Sequence, residues 1–180
     1  MLRVLFVCTG NLCRSPMAEA LMRQALAERG CAQIDVASAG TWAGYGSPAM
    51  EDAVAVVGAR GADLTGHQSR GLDPRELAAA DVVVAMTSVH RREILAVVPE
   101  VESKLVLIKE LPELANSSMT SGSPAERLRA LLARPRPKWR RALDLDDPIG
   151  LPRFAYERCA DEISSGIEVL ADVLCGEKEP

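Results

Sequence analysis

Cys8-Thr9-Gly10-Asn11-Leu12-Cys13-Arg14-Ser15 follows directly on the apolar run Leu2-Arg3-Val4-Leu5-Phe6-Val7 and leads into Pro16-Met17-Ala18-Glu19-Ala20. The run reads as a buried strand, and Pro16 suits the first position of a helix, where a missing N–H costs nothing. A tight loop between the two presents successive backbone N–H groups at a helix N-terminus, a ready site for an anion. Cys8 stands where the strand ends, and Arg14 follows six positions later. A thiol attacks only as thiolate, and a helix N-terminus with a guanidinium nearby favours that form. The five intervening residues can wrap around phosphoryl oxygens and return Arg14 to the rim opposite Cys8. There its planar fork can hold two of those oxygens, which a lysine cannot do. Gly10 permits close backbone approach, Asn11 tolerates the left-handed region, and Ser15 can hydrogen-bond the sulfur. A buried cysteine in an ordinary turn is the plainer reading. The Gly, Asn and Ser within the loop and the Pro after it favour the reactive thiol.

Outward from this loop, apolar periodicity predicts a helix over 16–29 stopped by Gly30, with Met17, Leu21 and Ala25 on its inner face. A second strand runs over 34–37 and ends in Ser38-Ala39-Gly40-Thr41. The next loop, Trp42-Ala43-Gly44-Tyr45-Gly46-Ser47-Pro48, holds two aromatics in a chain that is 3% aromatic. Trp42 and Tyr45 there either cap the core or wall a pocket above the loop. Helices are predicted over 49–60, 74–80 and 88–98, the last with Ile94 and Val97 inward and His90, Arg91 and Arg92 on a solvated face. Strands are predicted over 81–86 and 104–108, the former an uninterrupted apolar run of the buried parallel type. A closing helix over 152–175 turns Tyr156, Ile163, Ile167, Leu170 and Leu174 inward, with Cys159 and Cys175 packed in it. Strands alternating with helices indicate an α/β sheet, whose ligands bind beyond the carboxyl ends of the strands. Cys8 lies at such an end.

The 180 residues suit one domain, 1–180, with a sizeable core. Residues 112–143 form an insertion, with a Ser- and Gly-rich start at 116–124, a helix over 125–133 and a basic Pro-interrupted segment, Arg134 to Arg141. That segment reads as a solvated loop, or as a docking patch for an acidic partner. A net charge of −4 argues against nucleic-acid binding and a polybasic membrane anchor. No signal peptide or membrane-length apolar run is expected. Five cysteines, an odd number, suggest no secreted disulfide framework and fit a cytoplasmic protein. No Cys/His grouping has metal-ligand spacing, so neither a metal nor an organic cofactor is expected.

A leaving group departs more easily when protonated, so a general acid is sought near the loop. Asp144, Asp146 and Asp147 compete for that role in Leu143-Asp144-Leu145-Asp146-Asp147-Pro148-Ile149-Gly150.

The stretch from Cys8 to Ala20 resembles the signature of the low-molecular-weight protein tyrosine phosphatases. The likeness continues through Ser38 to Thr41, His67-Gln68-Ser69-Arg70, Asp81 to Thr87 and Asp147-Pro148. It implies a three-layer, flavodoxin-like fold around a four-stranded parallel sheet. It implies Cys8 as nucleophile, Arg14 as phosphate clamp, and Asp147, the Asp before Pro, as general acid and base. Thr9, Gly10, Asn11, Leu12, Cys13 and Ser15 would line the phosphate, with Trp42, Tyr45 and Ile149 walling the substrate pocket. His67 would buttress the loop through Asn11. Cys13 would capture an oxidised Cys8 as a disulfide, a reversible protection for which the family is known. The partner would be a phosphorylated protein and the enzyme a monomer. Met50 stands where members commonly have Asp, which concerns a helix start more than the chemistry.

Within the resemblance, aliphatic Leu12 points to phosphotyrosine, whereas a threonine there favours phosphoarginine in proteins. Ile149-Gly150, in place of two tyrosines, is closer to bacterial members, some of which act on phosphoarginine. Arsenate reductases of the same fold need two further central cysteines, and none lies between Cys31 and Cys159. A phosphoprotein-binding module without turnover would lack the nucleophile, the arginine or the acid.

Overall fold

The computed structural model describes residues 1–31, 33–115, 122–138 and 140–176. Four parallel strands, β1 (Leu2–Cys8), β2 (Ile34–Gly40), β3 (Val82–Ala85) and β4 (Leu105–Leu107), lie in the order β2-β1-β3-β4. The sheet is covered on both sides, as parallel sheets are, and alternation along β1 divides the core accordingly. Val4, Phe6 and Cys8 face one layer; Leu5 and Val7 face the other.

The first layer holds α1 (Arg14–Glu28), α2 (Glu51–Gly58) and the long α7 (Arg153–Cys175), with Met17, Met22, Val57, Tyr156, Ile163 and Ile167 buried between them. The second holds α3 (Pro74–Ala79) and α4 (Ser88–Val97), packed through Leu77 and Ile94. Helix α1 begins at Arg14, so Pro16 occupies its third position instead of its first. The chain is already helical as it leaves the loop, and a proline anywhere in the first turn forfeits no intrahelical bond. Val97, expected inward, is 55% exposed, because it is the last residue of α4 before the chain turns into a 3-10 segment.

The described part of 112–143, expected as an insertion loop, is more firmly anchored than a solvated loop. After α5 (Leu111–Leu114), α6 (Pro124–Leu132) is started by a capping box between Ser123 and Glu126 and buries Leu128 and Leu131. Arg127 donates to the carbonyls of Val173 and Leu174, at 2.6 and 3.2 Å, near the C-terminal end of α7. Those are carbonyls a helix end leaves without intrahelical partners. Arg134 donates to the Leu114 carbonyl at 2.5 Å, and Arg140 pairs with Glu113. The Ser-rich residues 116–121 and Trp139 lie outside the described residues.

The packing of α1 against α7 brings Cys31 and Cys175 together as a disulfide, with Cα atoms 6.0 Å apart. A separation of 144 residues hides this pair from any reading of cysteine spacing. Cys8, Cys13 and Cys159 are free thiols. Among the described residues no helix is long and apolar enough to cross a membrane.

Candidate active site

Cys8 pairs with Gly40 at the carboxyl ends of β1 and β2, and the chain then wraps through 9–13 before α1 begins. Asn11 takes a φ of +53°, the one positive value outside glycine among the described residues. The bend needs a left-handed residue, and Asn accepts it because its side chain hydrogen-bonds locally. Asn11 is fully buried, and each polar group of its side chain is used. Its Nδ2 donates to Ser38 Oγ at 2.8 Å and to Ser15 Oγ at 3.0 Å, and its Oδ1 accepts from the Arg70 amide at 3.0 Å. His67 Nε2 donates to the Asn11 carbonyl at 2.8 Å.

Cys8 Sγ lies 2.9 Å from Ser15 Oγ, both buried. Arg14, also buried, donates through Nη1 to the Leu145 carbonyl at 3.2 Å and through Nη2 to Asp147 at 2.5 Å. The other oxygen of Asp147 accepts from the Ile149 amide at 3.2 Å. The three competing aspartates therefore have different surroundings. Asp144 is buried and accepts from the Ser88 amide and hydroxyl, Asp146 pairs with Arg141, and Asp147 alone meets Arg14. One small cleft of about 30 Å³ is lined by Cys8, Gly10, Leu12, Cys13, Arg14, Asp147 and Ile149.

Cys13 sits in that cleft as a thiol. Burial pushes its pKa up to about 12, against the lowering effect of its hydrogen bond with Tyr156. Trp42 and Tyr45 do not line the cleft. Trp42 is 78% exposed, with its indole N–H on Glu93 at 3.3 Å, and Tyr45 is 89% exposed.

His90 corrects the expectation of a solvated helix face: it is only 3% exposed. Its Nε2 lies 2.8 Å from Thr9 Oγ1 and its Nδ1 lies 2.9 Å from Thr87 Oγ1. Thr87 caps α4 by accepting the His90 amide at 3.3 Å, which turns the ring toward the loop. The available signal was that threonine three places ahead of the histidine.

Burial first, and then the Arg14 charge, lower the His90 pKa from 6.5 to about 4, against the opposing charges of Glu93, Asp147 and Asp144. The folded-state value lies below the unfolded one, so the unfolded chain takes up the proton first. The resulting stability is fully present above pH 6.5 and is lost as the pH falls toward 4. Urea denaturation is expected to show the native protein losing about 3 kcal/mol more than His90→Gln across that window. Equal losses in the two proteins would mean that the histidine is not held neutral.

Residues 3–121 match the family described as low molecular weight phosphotyrosine protein phosphatase. A protein-arginine-phosphatase of Geobacillus stearothermophilus is 33% identical over 172 residues, covering 96% of this chain and 95% of that protein. A probable low molecular weight protein-tyrosine-phosphatase, EpsP, of Ralstonia solanacearum is 37% identical over 165 residues, covering 92% and 90%. The crystal structure of a low molecular weight protein tyrosine phosphatase from T. tengcongensis superposes with a TM-score of 0.74 at 33% identity, covering 94% of this chain and 97% of that one.

Proposed function

The chain belongs to the low molecular weight phosphotyrosine protein phosphatase family, and from that premise we propose that it hydrolyses phosphotyrosine in proteins through a cysteinyl-phosphate on Cys8. The observation that carries this reading is the single cleft shared by the Cys8 thiol, the Arg14 guanidinium and the Asp147 carboxyl. A nucleophile, an anion clamp and a proton donor are what a phosphomonoester requires, and here they converge.

The steps follow from the contacts. A phosphoryl dianion competes with Asp147 for Arg14 and draws the guanidinium fork onto its oxygens. Asp147, released from that ion pair, takes up the proton that Cys8 gives up on becoming a thiolate and passes it to the tyrosine oxygen as the Sγ–P bond forms and the P–O bond breaks. Water then attacks phosphorus and gives its proton to Asp147, and phosphate leaves with the sulfur as thiolate. Ser15 is suited to both states of that sulfur: it accepts from the thiol and donates to the thiolate. The loop backbone from Thr9 to Cys13 leads into the N-terminus of α1, where N–H groups would be offered to the equatorial oxygens. A reducing compartment such as the cytoplasm suits the chemistry, since Cys8 has to remain unoxidised to attack.

For the substrate, Leu12 and Ile149 supply an apolar lining that fits the ring of a tyrosine and offers no acceptor to a guanidinium. A second reading, phosphoarginine, is favoured by the likeness to an arginine phosphatase over almost the whole chain. It would use the same residues, with the proton delivered to nitrogen. Matched phosphotyrosine and phosphoarginine peptides separate the two. We expect kcat/KM to favour phosphotyrosine by about 10-fold or more, and Leu12→Thr to move the ratio toward phosphoarginine. Faster turnover of phosphoarginine by the native protein would overturn the substrate and keep the chemistry.

A further inference from the structure

The loop is held on both flanks of Gly10, and the two holds differ in kind. On one flank Asn11 is locked by Ser38, His67 and Arg70. On the other, Thr9 has two contacts: its carbonyl accepts from the Trp42 amide at 3.0 Å, and its hydroxyl meets His90. We propose that His90 is a positioning residue of the phosphate cradle, donating from Nε2–H to Thr9 Oγ1 as the neutral imidazole.

Counting protons selects that tautomer. Thr87 Oγ1 already accepts the His90 amide, so its own O–H is free to donate to Nδ1. Nδ1 is then the acceptor, and Nε2 carries the hydrogen toward Thr9. In the opposite tautomer Thr87 would accept twice, and among the described residues its hydroxyl proton would be left without an acceptor. The Thr9 hydroxyl would also spend its proton on the ring. With Nε2–H donating, the Thr9 proton stays available on the exposed side of the loop. The ring is itself immobilised, buried between α4 and the loop, so the tether fixes the first cradle residue after Cys8. With the Trp42 amide on its carbonyl, Thr9 is then held at both its side chain and its backbone, which limits how the loop can shift when an anion binds. The inference rests on the phosphatase reading of the same loop.

The test combines imidazole nitrogen NMR with inhibition by inorganic phosphate in five proteins: native, His90→Gln, His90→Asn, Thr9→Val and the His90→Asn/Thr9→Val double variant. A glutamine amide can reach the place of Nε2 and donate to Thr9; an asparagine amide reaches only the place of Nδ1. We expect the NMR to give a neutral ring protonated at Nε2 at pH 7. Phosphate inhibition should weaken about 10-fold in His90→Asn and in Thr9→Val, and no further in the double variant. His90→Gln should stay within about 3-fold of native, and KM should move more than kcat. Thermal midpoints measured beside these separate loss of positioning from loss of fold. A ring protonated at Nδ1, additive effects in the double variant, or equal impairment in His90→Gln and His90→Asn would overturn the assignment. Should the native protein turn over neither phosphopeptide while the ring is still protonated at Nε2, the phosphatase reading fails and the tether stands as a structural fact.

Discussion

Replacing Cys8 with serine is expected to lower kcat on any phosphopeptide by at least ~10⁴-fold while phosphate binding stays within about 3-fold of native. A serine can be a good nucleophile only when a base stands beside it. Neither imidazole of this protein is placed to serve. His67 is committed to the Asn11 carbonyl, and His90 is taken up between Thr9 and Thr87. Cys8 Sγ meets the Ser15 hydroxyl, which is too weak a base to take up a proton. Arg14 and the loop amides are untouched by the change, so the anion site persists. Single-turnover kinetics and calorimetric titration with inorganic phosphate measure the two halves separately. Residual turnover above about one part in a hundred would show that some other group attacks.

The second large effect lies at Gly40, which is not part of the cradle. A Cβ on it would stand 2.4 Å from the Thr9 carbonyl oxygen, 2.7 Å from Ala43 Cβ and 3.0 Å from the Asn11 nitrogen. Gly40 has no room to withdraw. Its amide donates to the Arg70 carbonyl at 3.0 Å, its carbonyl accepts from the Leu72 amide at 2.9 Å, and it pairs with Cys8 across the sheet. Gly40→Ala is therefore expected to push the cradle off its donors, costing about 2–3 kcal/mol of stability. It should also lower kcat/KM about 100-fold, the scale of a displacement near 1 Å at reacting groups. Gly44→Ala is the control, since nothing lies within 4 Å of a Cβ there. Urea midpoints and kcat/KM for the pair decide the matter; like behaviour in both variants would remove the steric argument.

The order of elements and the place of the loop were legible because β1 is apolar and buried on both faces from Val4 to Cys8, and because Gly and Pro punctuate the helices. Cys8 and Arg14 could be picked out by residue type and spacing, whereas three aspartates competed and the family resemblance alone singled out Asp147; the structure brings Cys8, Arg14 and Asp147 to one cleft. His90 was not legible. Its neighbours Arg91 and Arg92 make a polar run that reads as solvent-facing, and only the α4 cap directs the ring inward. Gly40 was visible as part of a motif, but its reason, contact with a backbone 30 residues earlier, exists only in three dimensions. The anchoring of α6 by Arg127 escaped for a similar cause. Arginine reads as surface until the helix end it caps is known.

The cradle spans eight residues, yet beyond the contacts of Ser15 with Cys8 and Asn11 the side-chain bonds that shape it come from far along the chain. Asn11 waits for Ser38, 27 positions on, and for the imidazole of His67, 56 positions on. Thr9 waits for His90, 81 positions on, and Arg14 for Asp147, 133 positions on. Such contacts have a high sequence separation and close late. A nascent chain leaves the ribosome with its N-terminus first, so Cys8 emerges long before its partners are made. Until the acid loop follows, Arg14 lacks the Leu145 carbonyl and the Asp147 carboxylate that hold its guanidinium. Synthesis order thus acts as a safety catch, and the protein acquires its reactivity only when nearly the whole polypeptide is in place.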